Sequence, residues 1–269
     1  MIRYSVPEEK NIILNLFNTC FPGEEKFADW FFGKVYDYRN TLVYEDNGKI
    51  IAALQMIPVK LSDGVNTYTS SYLYGVGTLP EYRGKGIMAQ VINFSFEEDR
   101  KKGTDYSILI VQEQSLLNYY SRFGFEKYFS IGEKYFDTNE EILRFRPVTR
   151  TDFSAINDVY ENSCDKKMFS LREEKHCDAL FDMYSETSFV HETDGVIDSY
   201  VFGYFTENAF IASECMGKNG FTLANSVAKA HSKSQFKCIF PGNDKFIGMI
   251  KPINSSVKDI EAYINLLYN

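Results

Sequence analysis

Apolar and polar residues alternate weakly over 1–6 and stop at Pro7, which predicts a short strand. From 8 to 21 the apolar set becomes Ile12, Ile13, Leu16 and Phe17, spaced for one helical face, with acids in the first turn. Pro22-Gly23 ends that helix, and 24–36 repeats its spacing with Phe27, Trp30, Phe31 and Val35. Strands are predicted at 41–46 and 49–61 around Asn47-Gly48, a pair suited to a tight hairpin. After Asp63-Gly64 a third strand, rich in Thr and Tyr, covers 65–78. Gly75 and Gly77 interrupt it, which predicts a bulge or a close backbone approach. Residues 86–101 read as a helix bearing Ile87, Val91, Ile92, Phe94 and Phe96, ended by Gly103. The run YSILIV at 106–111 is almost wholly apolar, as in a strand covered on both faces. A short helix at 115–122 and a strand at 126–136 complete the order β-α-α-β-β-β-α-β-α-β.

The pattern then begins again. LRFRPV at 143–148 is similar to MIRYSV at the start, and helices are predicted at 152–163 and 171–184. FVHETDGVIDSYVFGYF echoes LVYEDNGKIIAALQMIP, with Asp194-Gly195 standing where Asn47-Gly48 stood. A helix at 221–231, strands at 236–240 and 246–250, and an amphipathic helix at 257–268 follow. The two halves share one supersecondary plan, so the chain reads as a weak internal repeat with domains at 1–138 and 139–269.

Composition narrows the function classes. The formal net charge of -8 speaks against a nucleic-acid binder and gives no support for docking on an anionic membrane. No stretch is apolar for long enough to span a bilayer, and residues 1–11 lack the apolar core of a secretion signal. A cytoplasmic setting with reduced thiols is the expectation. The five cysteines (Cys20, Cys164, Cys177, Cys215, Cys238) include no CxxC pair, and His176, His191 and His231 are scattered, so no metal site is expected. Oligomeric state is not legible.

The chemistry-bearing stretch is TLPEYRGKGIMAQVI at 78–92. A strand ends near Leu79, a turn carries Arg83, Gly84, Lys85 and Gly86, and a helix begins. Free backbone N–H groups at a helix N-terminus, glycines that let a ligand lie against the backbone and two cations suit a pyrophosphate. By itself the tetrapeptide reads more simply as a basic surface turn, because short motifs have many false matches. Its flanks decide the reading. Strand–Pro80–YRGKG–helix–YSILIV–helix, with NYYSRFGF at 118–125, resembles the GCN5-related N-acetyltransferase (GNAT) family over residues 1 to about 136. The family's pyrophosphate loop, [QR]-x-x-G-x-[GA], falls on Arg83, Gly84, Lys85, Gly86, Ile87 and Met88. Met88 departs from the small residue at the last position, and that departure resembles the Eis-like branch.

The resemblance implies a mixed α/β fold whose sheet is splayed at a central bulge, followed by a second GNAT-like half. It implies acetyl-CoA as co-substrate in the splay. Backbone groups of Thr78 and Leu79 would pair with its pantetheine, and 83–88 would hold its pyrophosphate. It implies a primary amine of a small molecule or peptide as acceptor, an oxyanion donor near the Leu79 N–H, and Tyr120 as proton donor to the leaving sulfur. Tyr119 is out of phase with it on the helix. Glu113, just after YSILIV, is a candidate base, although a surface carboxylate is its simpler reading. In the second half, GKNGFTLANSV at 217–227 repeats a glycine turn before a helix but lacks the arginine and any YY…FGF. That half therefore reads as degenerate, packing on the first and shaping the acceptor cleft. A non-catalytic acyl-CoA-binding module, or a double-GNAT enzyme moving another acyl or aminoacyl group, are the alternatives.

Overall fold

The computed structural model describes residues 1–111, 113 and 115–266. They divide into two compact units: 1–60, 68–127 and 248–258 form the first, and 61–67, 128–247 and the described residues from 259 onward the second.

In the first unit, β1 (Ile2–Tyr4) pairs antiparallel with β2 (Thr41–Asp46), and β2 with β3 (Lys49–Ser62). The β2–β3 hairpin turns through Asn47 at φ +48° and Gly48 at φ +78°, the left-handed pair that Asn-Gly accommodates at low cost. The helices α1 (Lys10–Cys20) and α2 (Glu25–Lys34) bury Ile13, Leu16, Phe17, Ala28, Phe31 and Phe32 in one aromatic-rich cluster with Val43, Ile50 and Ala53 of the sheet. That is the one-sided stripe the helical spacing specifies. β4 (Thr67–Thr78) follows, then α3 (Ile87–Lys102), closed by Gly103 in the left-handed conformation. β5 (Tyr106–Ile110) and α4 (Ser115–Ser121) come next. β5 is buried on both faces, as its unbroken apolar run requires. Its outer edge pairs antiparallel with a segment from much later in the chain, Gly248↔Ile110 through Pro252↔Tyr106.

β4 and β5 run parallel but pair over three positions only, Ser70↔Tyr106, Ser71↔Ser107 and Tyr72↔Ile108. Both strands continue past that point, and among the described residues no ladder pair joins them there. Gly75, three residues beyond the last pair, sits at φ +56°. The sheet therefore parts just before the glycine-marked irregularity, as expected of a sheet splayed at a bulge.

The second unit contains β6 (Glu126–Asp137) from Tyr128 onward, β7 (Arg146–Pro147), α5 (Phe153–Ser163), β8 (Met168–Ser170), α6 (Glu174–Tyr184), β9 (Ser188–Thr193), β10 (Val196–Phe205), β11 (Ala209–Gly217), α7 (Gly220–Ala230), β12 (Gln235–Pro252) up to residue 247, and β13 (Ala262–Tyr263). β9–β10–β11 is antiparallel, and β11 runs parallel to β12 over Ala209↔Gln235 to Ala212↔Cys238. Asp194 (φ +53°) and Gly195 (φ +79°) turn the β9–β10 hairpin as Asn47-Gly48 turns β2–β3. One core packs α5 and α6 on Tyr200, Phe202 and Met216, and another packs α7 on Phe210, Cys215 and Phe236.

Three expectations are corrected here. The helix expected at 257–268 is absent over its described part. Ala262 and Tyr263 instead form β13, parallel to β6 at Phe129 and to β8 at Met168 and Phe169. Ala262, Tyr263, Ile264 and Leu266 are all buried, a run that one helical face cannot bury but a strand inserted between two others can. Residues 267 and 268 lie outside the described residues. The two strands expected at 236–240 and 246–250 are one strand, β12, which runs through Pro241-Gly242-Asn243-Asp244. Gly242 serves close approach rather than a turn: a Cβ there would lie 2.8 Å from the Gly132 backbone. β8 was not anticipated, and α6 begins at Glu174 because 168–170 is drawn into pairing with Leu61 and Ser62.

Candidate active site

Every element of the site lies in the first unit. β4 ends at Thr78, a short 3-10 turn spans Pro80–Tyr82, and α3 starts at Ile87. Between them Gly84 and Gly86 adopt φ +75° and +74°, and a Cβ on either would meet nothing within 4 Å. The glycines are thus required by backbone conformation, and they present an open backbone surface to solvent. Gly86 caps α3 with no side-chain hydrogen bond. The first intrahelical bond runs from the Gln90 N–H to the Gly86 carbonyl at 3.3 Å, so the N–H groups of Ile87, Met88 and Ala89 precede the ladder. They sit at the positive end of a sixteen-residue helix dipole.

Side chains fix this turn from beneath. Ile87 is buried against Ile51 and Ala52, and Met88 packs on the same cluster with Tyr44, Leu79 and Tyr82. The larger residue at 88 is therefore seated in the core side of the turn. Arg83 donates from Nε to the Thr78 carbonyl at 2.9 Å, tying the loop to the strand end. The Lys85 and Lys49 ammonium groups lie 5.1 Å and 5.2 Å from the Tyr82 ring centroid. Lys49 also bridges Glu81 at 3.2 Å. Tyr82 and Lys49 were not singled out in the sequence, because Lys49 reaches the turn from a hairpin far along the chain. Cys20, at the end of α1, also borders the loop: burial pushes its thiol up, and the neighbouring Arg83 opposes that rise.

The Leu79 N–H donates to the Ile51 carbonyl at 2.9 Å. It is spent on β3 and does not face the gap. Strand alternation turns the main-chain groups of Thr78 the other way, consistent with its carbonyl meeting Arg83. The Thr78 hydroxyl is buried and has no hydrogen-bond partner among the described residues.

Tyr120 lies on α4 and is buried, with its ring edge-on to Phe125 and to Tyr119. Burial, and secondarily Tyr119, pushes its hydroxyl well above the usual phenol range, so it stays protonated at neutral pH. Tyr119 is half-buried and packs on Phe123 instead. Glu113 is exposed; its carboxylate accepts from the Ser115 hydroxyl at 3.1 Å and its carbonyl from the Leu116 N–H at 3.0 Å. Those bonds tie it to the first two residues of α4. Among the described residues, no three His, Cys, Asp or Glu side chains gather as a metal site, and no helix is long and apolar enough to cross a membrane.

Residues 1–128 match the profile of the acetyltransferase (GNAT) domain family. The first half of the chain is a GNAT acetyltransferase domain. That match supports an acyltransferase enzyme. No curated protein matches the sequence. Solved structures match its fold. A conserved protein from Enterococcus faecalis V583 superposes with a TM-score of 0.76 at 15% identity, covering 94% of this chain and 73% of that one. A GCN5-related N-acetyltransferase from Anabaena variabilis ATCC 29413 gives 0.73 at 16%, covering 94% and 73%. Eis1 from Mycobacterium abscessus gives 0.65 at 13%, covering 94% and 74%. These likenesses extend the GNAT-type, Eis-like fold beyond the matched domain to nearly the whole chain.

Proposed function

We propose that the protein is an acetyl-CoA-dependent N-acetyltransferase that moves an acetyl group to a primary amine of a small molecule or peptide. The observation that carries this reading is the parting of β4 and β5 beyond Tyr72 and Ile108, directly upstream of the glycine turn and uncapped α3. The residues fit the substrate: the open backbone at Gly84 and Gly86 and the amides of 87–89 suit a pyrophosphate, Arg83 and Lys85 add charge, and the unpartnered Thr78 hydroxyl suits a polar chain beside β4.

In the reaction a neutral amine nitrogen attacks the thioester carbonyl. The C–N bond forms, the C–S bond breaks, and the amine loses a proton to solvent. The sulfur leaves as thiolate and takes the proton of the Tyr120 hydroxyl, which burial keeps protonated until then and which regains a proton from solvent, balancing the one the amine released. With the Leu79 amide engaged, the Thr78 N–H is the donor we assign to the developing oxyanion. Glu113 is tied to Ser115 and Leu116 at the start of α4 and is assigned no role beyond that. Residues 139–269 are read as a degenerate GNAT-like repeat, on the strength of the repeated hairpin and the β11–α7 turn at Gly217–Gly220.

Thiol release from acetyl-CoA, measured across polyamines, amino acids, aminoglycosides and peptide N-termini, tests the proposal. Turnover by the wild type and a loss of about 100-fold or more in Tyr120→Phe are expected. Calorimetric binding of CoA with no turnover on any amine favours the non-catalytic module.

A further inference from the structure

From the bulge that parts the sheet, we infer that Gln55 is the group that receives the acceptor amine. Gln55 lies on β3, opposite Thr41 of β2, and is 2% exposed. Its Oε1 is buried and has no hydrogen-bond partner among the described residues. A Cβ on Gly75 would lie 2.2 Å from that oxygen, so the carboxamide fills the space that the glycine leaves. The third nearest atom is a ring carbon of Phe17, at 3.3 Å from the same point. The surroundings on that side are the apolar cluster of α1 and α2.

A polar acceptor in such a place is costly, since a buried oxygen without a donor forfeits its hydration. A longer apolar side chain could fill the same volume without that cost. The orphan is placed at Gly75, just beyond the point where β4 and β5 cease to pair. A donor entering the parted sheet restores the missing bond. The reaction requires such a donor: the incoming amine carries N–H groups while its lone pair must aim at the thioester. A neutral carbonyl acceptor holds an N–H and so turns the lone pair outward. Unlike a carboxylate, it does so without favouring the ammonium form that cannot attack. Gln55 thereby orients the nucleophile through one of its N–H bonds before attack.

This inference rests on the acetyltransferase reading, and the test separates the two. The wild type, Gln55→Met and Gln55→Leu are compared in thiol-release kinetics with the amine that the wild type turns over best, together with melting temperature and calorimetric CoA binding. Expected are a rise of about tenfold or more in KM for the amine, KM for acetyl-CoA and CoA affinity within twofold of wild type, and a melting temperature equal to or above it. Amine kinetics unchanged in both variants overturn the assignment of Gln55 alone and leave it a packing residue. No turnover by the wild type with any amine overturns the acetyltransferase reading and this assignment together.

Discussion

Arg83 Nε and the Thr78 carbonyl oxygen lie 2.9 Å apart, so the loop's arginine is anchored to the last residue of the strand that precedes it. The guanidinium keeps further N–H donors for a ligand while one fixes its position. It therefore acts as both strut and charge. Arg83→Ala is expected to raise KM for acetyl-CoA about tenfold or more, on the scale of a lost hydrogen bond to a charged group. Its kcat should stay near wild type, because the contact proposed for it is with the pyrophosphate, far from the thioester. Steady-state kinetics at several salt concentrations check this: the variant's KM should respond less to ionic strength. Arg83→Lys keeps the charge and loses the strut, and should fall between the two.

The glycines of β4 and of the loop differ in what they must avoid. Gly86 needs only its positive φ, since space around its Cα is open. Gly86→Ala is expected to cost about 1–2 kcal/mol, the left-handed penalty alone. Gly75 has a positive φ of +56° and also the Gln55 oxygen at 2.2 Å from any Cβ. Gly75→Ala adds overpacking of about 1–3 kcal/mol to the backbone term. Denaturant titration of the two variants should rank Gly75→Ala clearly lower, and Gln55→Ala should recover part of the loss.

Asp99, on α3, is wholly buried, and burial pushes its carboxyl up to about 6, opposed by the Ser71 hydroxyl that donates to it at 2.6 Å. A carboxyl raised above its unfolded value costs stability when it ionises. Stability from this group is complete below about pH 4 and is lost as the pH rises toward 6, by an amount on the order of 3 kcal/mol. Asp99→Asn removes that dependence, because the amide oxygen can still accept from Ser71. Chemical unfolding should show the variant more stable than wild type at pH 7.5 and the two nearly equal at pH 4.

Local chemistry made the first unit readable and distant pairing hid much of the rest. Asn47-Gly48 and Asp194-Gly195 are legible because the left-handed conformation their turns require restricts which residues fit. Arg83 to Gly86 are legible because the turn proposed to hold a phosphate is built from consecutive residues. The strand at 262–263 is not, because its partners Phe129 and Met168 are remote in sequence, and a short apolar run fits helix and strand equally. The same holds for 248–252, whose pairing to β5 supplies an edge that no local pattern announces. The Leu79 amide was expected to face the gap. Which way an amide points depends on strand register, and register follows from packing rather than from a motif.

Arg172 and Glu214 form an ion pair with side chains 1% and 0% exposed, at 2.6 Å. Tyr200 donates to one Glu214 oxygen at 2.6 Å, Tyr263 lies 3.4 Å from the other, and the guanidinium stacks 3.9 Å from the Tyr160 ring centroid. Tyr263 belongs to the strand that departs from the expected helix, so this pair helps hold the second unit's last described segment in place. Removing one partner strands a charge in the core: Arg172→Met or Glu214→Met should each cost about 3–5 kcal/mol. The double variant Arg172→Met/Glu214→Met leaves no uncompensated charge, so its loss should be well below the sum of the two singles. Equilibrium unfolding of the three variants in urea decides it. A double variant as unstable as the sum would mean that the pair acts as two independent packing residues.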